Sequence, residues 1–401
     1  MLLDFIKNKQ DCVGCSACKS ICPKQCIIMQ PDERGFLYPN VDNSKCIKCN
    51  LCLKVCPIQK QKNIIKEKEQ KHICNVGITL DNNVLEKSSS GGAFTEICKT
   101  IQENIQGDIY IFAATFKELK VYHCGTNIDN ISIFNKSKYI QSDMKNCFIK
   151  IKQFLSNNKK VVFCGTPCQV DGLHCYLQRE YKNLFTIDFI CHGVGSPLVF
   201  DRFIKETEKK YNKKIVEYIF RYTKKIRGNF PSYISFTRFS DGQTNTKYLD
   251  VYNKLFLNQL CLRDSCGDIC RYRKPIRYSD ITIADFKGNL NIKDPRRYST
   301  IITNSKKGEN VLKILNKRMN LYDYNIELIK KNNPLFFHTT YENPKRNEFF
   351  NDFTKGLSIE DLVVKYVPKQ KFKIKNFIVK LIPYDIKYKI KCLIKRLRLD
   401  L

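Results

Sequence analysis

Tryptophan is absent from this 401-residue chain, and acidic residues number only 39 against 70 lysines and arginines. The shortage of acid leaves a formal charge of +31, which attracts anions: nucleic acid, anionic lipid, phosphorylated substrates or an acidic redox partner. Much of that charge is dispersed lysine in a Lys/Asn/Ile-rich sequence, as on a solvated surface. No run of about 18 apolar residues occurs, which excludes a membrane-spanning helix. The opening residues, Met1 to Phe5, carry neither the basic start nor the apolar core of a secretory leader. Without export, 21 cysteines read as thiols in a reducing compartment rather than as disulfides, and a cytoplasmic chain is expected. No nucleic-acid motif accompanies the basic charge, so nucleic acid is not an expected partner.

The cysteines that are present organise everything else. Cys12, Cys15, Cys18 and Cys22 precede Pro23, and Cys46, Cys49, Cys52 and Cys56 precede Pro57. Each run reads C-x2-C-x2-C-x3-C-P, the spacing that holds cubane iron–sulfur clusters, with the fourth cysteine of each run crossing to the other cube. The expected ligand sets are Cys12, Cys15, Cys18 and Cys56 for one [4Fe-4S] cluster and Cys46, Cys49, Cys52 and Cys22 for the other. Zinc would need four ligands and no such double pattern. Cys26 stands outside the pattern and reads as a buried structural thiol. Two such clusters move single electrons, so the rest of the chain must supply what gives or receives them.

Residues 1–60 thus form a dicluster ferredoxin-like module, closed by a charged connector over 59–71. From 72 the pattern becomes alternating strands and helices, a mixed α/β domain, giving an α+β or α/β fold class for the whole. Ser90, Gly91 and Gly92 open a helix whose free N–H groups suit a phosphate or a flavin edge. A strand over 160–164 runs through Gly165, Thr166 and Pro167 into a helix carrying Cys168 and Gln169. A second strand ends in Cys191, His192 and Gly193 before Pro197 starts another helix. Ligands of open α/β sheets bind at such strand ends, so the two loops are expected to converge on one pocket. Cys261, Cys266 and Cys270 suggest a further metal site, with Cys164, Cys168 or Cys191 completing it; the alternative is that some of these are core thiols. Boundaries are expected near 200 and 330, with 331–368 unassigned. The tail, 369–401, mixes lysines with bulky apolar residues around Pro383. It reads either as a membrane-surface anchor, holding the chain peripherally at the inner face, or as helices packed on their own domain.

Over roughly residues 8–320 the chain resembles the coenzyme F420 hydrogenase/dehydrogenase beta-subunit family. The resemblance is carried by the dicluster run, Ser90 to Gly92, Phe163 to Gln169, Asp188 to Gly193, Phe220-Arg221, Arg263 with Cys266, and Asp280 to Phe286. It implies an iron–sulfur flavoprotein passing electrons from a low-potential donor such as ferredoxin, through two [4Fe-4S] clusters, to FAD and a reducible substrate. The fused module and basic tail look most like the branch found among bacterial surface-polysaccharide genes, which implies an anionic or sugar-linked substrate. By resemblance Ser90, Gly91, Gly92, Thr166 and Gln169 bind the flavin. Cys168, Cys191 and His192 lie near the reactive ring or hold a third [4Fe-4S] cluster, and His192 is the proton donor. Two departures are visible: the family's Cys-x2-Cys pair is Cys266-x3-Cys270 here, and lysine (Lys287) replaces its tryptophan. The rival expectation is a non-catalytic electron-transfer subunit serving a partner enzyme.

Overall fold

The computed structural model describes residues 8–61, 71–104, 107–223, 233–267, 269–274, 276–288, 290, 297–336 and 343–368. The basic tail and most of the connector at 59–71 lie outside the described residues.

The two cysteine runs fold alike. Helix α1 (Ala17–Ile21) carries Cys18 and stops before Cys22. Between the runs, β1 (Ile27–Pro31) pairs antiparallel with β2 (Leu37–Val41), turning through Gly35 at φ +83°. A Cβ there would stand 2.4 Å from the Leu198 side chain, so only glycine permits this approach to the body of the protein. Helix α2 (Leu51–Lys54) then carries Cys52 and stops before Cys56. Both short helices are entered through a left-handed residue, Ser16 and Asn50. Pro57, expected only to turn the chain, also begins helix α3 (Pro57–Gln61), a first-turn position that needs no N–H.

The body follows as β3 (Ile73–Thr79), α4 (Asn82–Lys87), α5 (Ala93–Glu103), β4 (Ile109–Lys117), β5 (Lys120–Thr126), α6 (Cys147–Ser156), β6 (Lys160–Cys164), α7 (Pro167–Leu177), β7 (Leu184–Phe189) and α8 (Pro197–Tyr211). A small antiparallel sheet, β8 (Ile215–Ile219), β9 (Ile234–Phe239) and β10 (Thr244–Tyr248), leads to α9 (Val251–Leu257). The chain then returns as β11 (Ile281–Asp285), β12 (Ser299–Thr303), α10 (Lys306–Leu315), β13 (Met319–Asp323) and α11 (Ile326–Asn332). It ends in α12 (Arg346–Thr354) and α13 (Ile359–Tyr366).

The large sheet has eight strands in the order β13-β3-β12-β11-β7-β6-β4-β5. Its centre, β11-β7-β6-β4, is parallel, and antiparallel pairs finish both sides. Apolar residues of α5 and α10 cover one face and those of α6 and α7 the other, as a buried parallel centre requires. The sheet runs across the boundary expected at 200, because β11, β12 and β13 return to it. The helix expected over 306–319 ends at Leu315, and Met319 opens an edge strand on β3 instead. That strand has only five residues, too few for a period to be read. The unassigned stretch is helical: Phe349, Phe350 and Phe353 of α12 and Tyr366 of α13 pack with α8 and α9 in one buried cluster.

Arg263 holds the cysteine module against this body. Its side chain is fully buried, donates from Nε to the Cys12 carbonyl at 3.0 Å and from Nη1 to the Leu37 carbonyl at 3.1 Å, and lies 3.9 Å from the Tyr38 ring centroid. Replacing Arg263 with Met should orphan both carbonyls, lower stability by roughly 2 kcal/mol or more, and expose the module to proteolysis. A urea midpoint and a limited-trypsin time course check this; an unchanged cleavage pattern would show that the module is held elsewhere.

Candidate functional site

The thiols of the first run are close enough to repel one another. Burial raises the Cys15 thiol well above its ordinary value, and Cys18, Cys56 and Cys12 add to the effect. The neighbours of Cys15 are therefore the same three residues that the crossing pattern groups with it. The other group surrounds a cavity of about 120 Å³ lined by Cys22, Cys26, Cys46, Cys49 and Cys52. Cys26 is buried within that wall, its sulfur 3.3 Å from that of Cys22. Desolvation pushes the Cys22 thiol up, but the hydrogen bond with Cys26 outweighs it and holds Cys22 below its ordinary value. Among the described residues no three His, Cys, Asp or Glu close on a single metal ion; thiols spread around a cluster-sized space are spaced more widely than ligands of one ion.

A third set of thiols stands deeper. Cys168, Cys191, Cys266 and Cys270 line one narrow cavity together. Cys168 is the second residue of α7, Cys191 follows β7, and Cys266 and Cys270 come from the loop after α9. The loop bearing Cys191 approaches that loop through Gly193, at φ +132°, where a Cβ would stand 2.8 Å from Leu262 and 3.2 Å from the Cβ of Cys266. Burial raises Cys168 well above its ordinary value; the hydrogen bond with Thr166 opposes this, and Cys191, Cys266 and Cys270 raise it further. Four buried thiols that penalise one another's ionisation suit a cationic centre that would take all four as thiolates. Cys261, by contrast, is buried in the apolar cluster of α8 and α9, and Cys164 faces the larger cavity described next.

Helix α7 connects these groups. A Cβ on Gly172 would stand 2.7 Å from the Cβ of Cys15 and 2.9 Å from its sulfur. Gly172 lies four residues after Cys168, on the same helix face and about 6 Å further along the axis. The Tyr272 hydroxyl donates to Asp171 at 2.8 Å, and its ionisation is opposed by burial and by the charges of Asp171, Cys168 and Cys15.

On the other side of Thr166, Gln169, Cys191 and Gly193 opens a cavity of about 350 Å³, within the size range of cofactor sites. It lies over the carboxyl ends of the parallel strands, touching Cys164 and Gly165 after β6, Ile190 after β7 and Asp285 of β11, as open α/β sheets favour. Its far end receives the N-terminus of α5, whose Gly92 cap at φ +85° supplies no capping side chain. Cations gather at the same end. Burial pushes Lys136 down to about 8, helped by Arg297 and Arg221, and pushes Arg297 down to about 10, helped by Arg221. Arg221 pairs with Asp285, yet its buried Nε has no hydrogen-bond partner among the described residues.

Comparison with known proteins agrees with this architecture. Residues 158–326 match the family model for the C terminus of the coenzyme F420 hydrogenase/dehydrogenase beta subunit, and residues 11–60 match that of the 4Fe-4S dicluster domain. The chain belongs to the coenzyme F420 hydrogenase/dehydrogenase beta-subunit family. It is an iron–sulfur electron-transfer protein related to that subunit. A chain of the F420-reducing [NiFe] hydrogenase complex from Methanosarcina barkeri is similar at a TM-score of 0.43 and 13% identity, over 73% of this chain and 97% of that one. No curated protein matches.

The site residues expected for this family member divide by what they touch. Ser90 and Gly92 line the large cavity, whereas Gly91 does not; its N–H donates to Ser299 Oγ at 2.9 Å, and the Ser90 hydroxyl donates to the Tyr298 carbonyl at 2.7 Å. Those two residues fasten the loop, leaving Gly92 to Thr95 to face the space. Thr166 and Gln169 line the cavity while closing the capping box of α7. Cys168 faces the inner thiols and not the large cavity. His192 lines the large cavity, but burial holds its imidazole down to about 4, and Nε2 lies 3.2 Å from the Phe256 carbonyl. It is neutral at pH 7 and unsuited to donate a proton there. Sequence reasoning misses Lys136, Lys138 and His123, all in the cavity wall. Nothing marks the two lysines among the 70 basic residues; only the fold brings them in.

His123, like His192, is held down to about 4 by burial. Unfolded histidine titrates near ~6.5, so between pH ~6.5 and ~4 the unfolded chain binds protons that the folded one refuses. Stability should be complete above pH ~6.5 and decline toward pH ~4, by up to roughly 3 kcal/mol per histidine. Urea midpoints from about pH 7.5 to about pH 4.5 read the slope, and His123→Gln should flatten it.

Proposed function

We propose that the chain is an iron–sulfur flavoprotein oxidoreductase that draws electrons from a low-potential donor and delivers them in its large cavity to an anionic substrate. The observation that carries this reading is the run of thiol groups from surface to cavity. Cys22, Cys46, Cys49 and Cys52 lie outermost, with Cys49 exposed; Cys12, Cys15, Cys18 and Cys56 come next; Cys168, Cys191, Cys266 and Cys270 adjoin the cavity wall. Each set fits four-thiolate ligation of a [4Fe-4S] cluster, and Arg263 Nη2, buried beside Cys12 without a hydrogen-bond partner among the described residues, suits an anionic cluster.

The cavity fits FAD by its two unlike ends. Backbone and side chains at Cys164, Gly165, Thr166 and His192 would receive the flavin ring beside the inner thiols. The α5 N-terminus with Lys136, Arg221 and Arg297 would hold phosphate oxygens. A flavin bound there turns single electrons into two-electron, hydride chemistry. The chain's own part is to position the ring, exclude water and supply protons. Lys138 replaces His192 in the last role: burial pushes its Nζ down to about 7, where it can give and regain a proton near neutrality. Its ammonium is oriented by the Phe134 and Asn135 carbonyls at 2.6 and 2.9 Å. Cationic Lys287 at the cavity edge favours an anionic, sugar- or lipid-linked substrate, consistent with a role in surface-polysaccharide synthesis.

Anaerobic purification followed by iron, sulfide and flavin analysis tests this. About twelve irons and one flavin per chain are expected, and Cys266→Ser with Cys270→Ser should leave about eight irons. About eight irons in the unaltered protein would remove the inner cluster. Absence of flavin after reconstitution with FAD would remove the reductase and leave an electron-transfer subunit for a partner enzyme.

A further inference from the structure

The outermost thiols sit in a surface of distinct character. The wall of their cavity includes Lys24, between Cys22 and Cys26, and Ile47 and Lys48, between Cys46 and Cys49. Lys24, Ile47, Lys48 and Cys49 are all exposed, and Ile47 shows 57% of its surface to solvent. Lys48 and Asn50 are held in the left-handed region, at φ +54° and +59°, a conformation that turns the chain tightly around Cys49 instead of burying it. The nearby acid, Asp42, is already engaged by the Ser44 hydroxyl at 2.6 Å and by Lys45 at 3.2 Å. Among the described residues Lys24 and Lys48 make no ion pair. The most accessible thiol of the described electron-carrying groups is thus ringed by unpaired cations and one exposed apolar side chain.

We propose that this face, centred on Ile47 with Lys24 and Lys48 beside it, docks a small acidic one-electron carrier protein whose own redox centre lies near its surface. The proposal rests on the reading of Cys22, Cys46, Cys49 and Cys52 as cluster ligands. Its chemistry is that of transient redox encounters. Opposite charge raises the encounter rate and orients the partner, and a small apolar contact excludes water at the closest point. The step itself is one electron passing from the reduced carrier to the oxidised outer cluster, with no bond made or broken and no proton required. Lys24 and Lys48 are the specific part of the much larger +31 field. The dispersed lysines attract an acidic protein from any side, whereas these two act only when the carrier approaches the cluster.

The test compares two doubly charge-reversed proteins that carry the same net charge. Lys24→Glu with Lys48→Glu alters the docking face; Lys117→Glu with Lys209→Glu alters exposed positions at the end of β4 and on α8. Anaerobic stopped-flow reduction is followed with a reduced acidic ferredoxin and, separately, with the methyl viologen radical cation. With ferredoxin at low salt, the docking-face variant should be slowed about tenfold and lose most of its salt dependence, within the range electrostatic steering supplies, while the control changes less than about twofold. Both should accept electrons from viologen as the unaltered protein does. Equal slowing of the two variants with ferredoxin would overturn the docking face and leave only the general field. Loss of viologen reduction in the unaltered protein would overturn the cluster reading beneath it. Flotation of the unaltered protein on anionic vesicles, lost in the docking-face variant while its ferredoxin rate is unchanged, would reassign the patch to a lipid surface.

Discussion

The buried guanidinium of Arg263 sets the geometry on which electron transfer in this chain depends. Its side chain grips the module through the Cys12 and Leu37 carbonyls, while its backbone N–H bonds to the Val194 carbonyl at 3.0 Å, in the loop that carries Cys191. Cys266 follows three residues later, and its N–H returns to the Arg263 carbonyl. One residue therefore fixes the first cysteine run, the Cys191 loop and the Cys266 loop relative to one another. A charge so buried is expensive unless it is compensated. Two carbonyls and the Tyr38 ring do part of that; anionic thiolates at Cys12 and Cys266, whose charges favour the ionised arginine, would do the rest. The same interaction that stabilises the module thus links its stability to the groups it carries.

Helix α7 converts that docking into a path. Gly172 brings the module's Cys15 into contact with the helix backbone, and Cys168 sits one turn nearer the cavity. Thr166 and Gln169, which close the capping box, form the partition between inner thiols and cavity. A larger residue at 172 would separate the two thiol groups without touching either. Local helix chemistry, a proline start, a reciprocal cap and one glycine, therefore determines how far apart the electron-carrying groups stand.

The cysteine module was legible because cluster ligation imposes a fixed local spacing, and spacing survives in sequence. The strand–turn–helix units ending at Gly165 and Gly193 were legible for a similar reason: buried parallel strands read as short apolar runs, and Pro167 and Pro197 mark the helices that follow. The inner thiols were only half visible. Cys266 and Cys270 announce a site, but Cys168 and Cys191 join them through sheet order, which no local pattern states. Lys136, Lys138 and His123 were invisible for the same reason, and His192 was misread because its neighbours alone decide its protonation. Burial, not residue type, keeps it neutral. The helices of 343–368 show an aromatic repeat at Phe349, Phe350 and Phe353, too short to be distinguished from an irregular segment.

The cation cluster at the far end of the cavity is best understood as an incomplete electrostatic unit. Lys136, Arg221 and Arg297 oppose one another's charge, and Asp285 supplies a single carboxylate among them. The uncapped N-terminus of α5 adds further positive character at the same place. Burying three cations against one anion is unfavourable for the protein alone, so the arrangement stores a preference for a ligand with about two negative charges. A pyrophosphate bridge meets that requirement and a neutral ligand does not. Occupation of this end would relieve the repulsion and stabilise the fold by mass action. It would also leave the opposite end, beside Cys164 and the inner thiols, as the place where a flavin ring can exchange electrons.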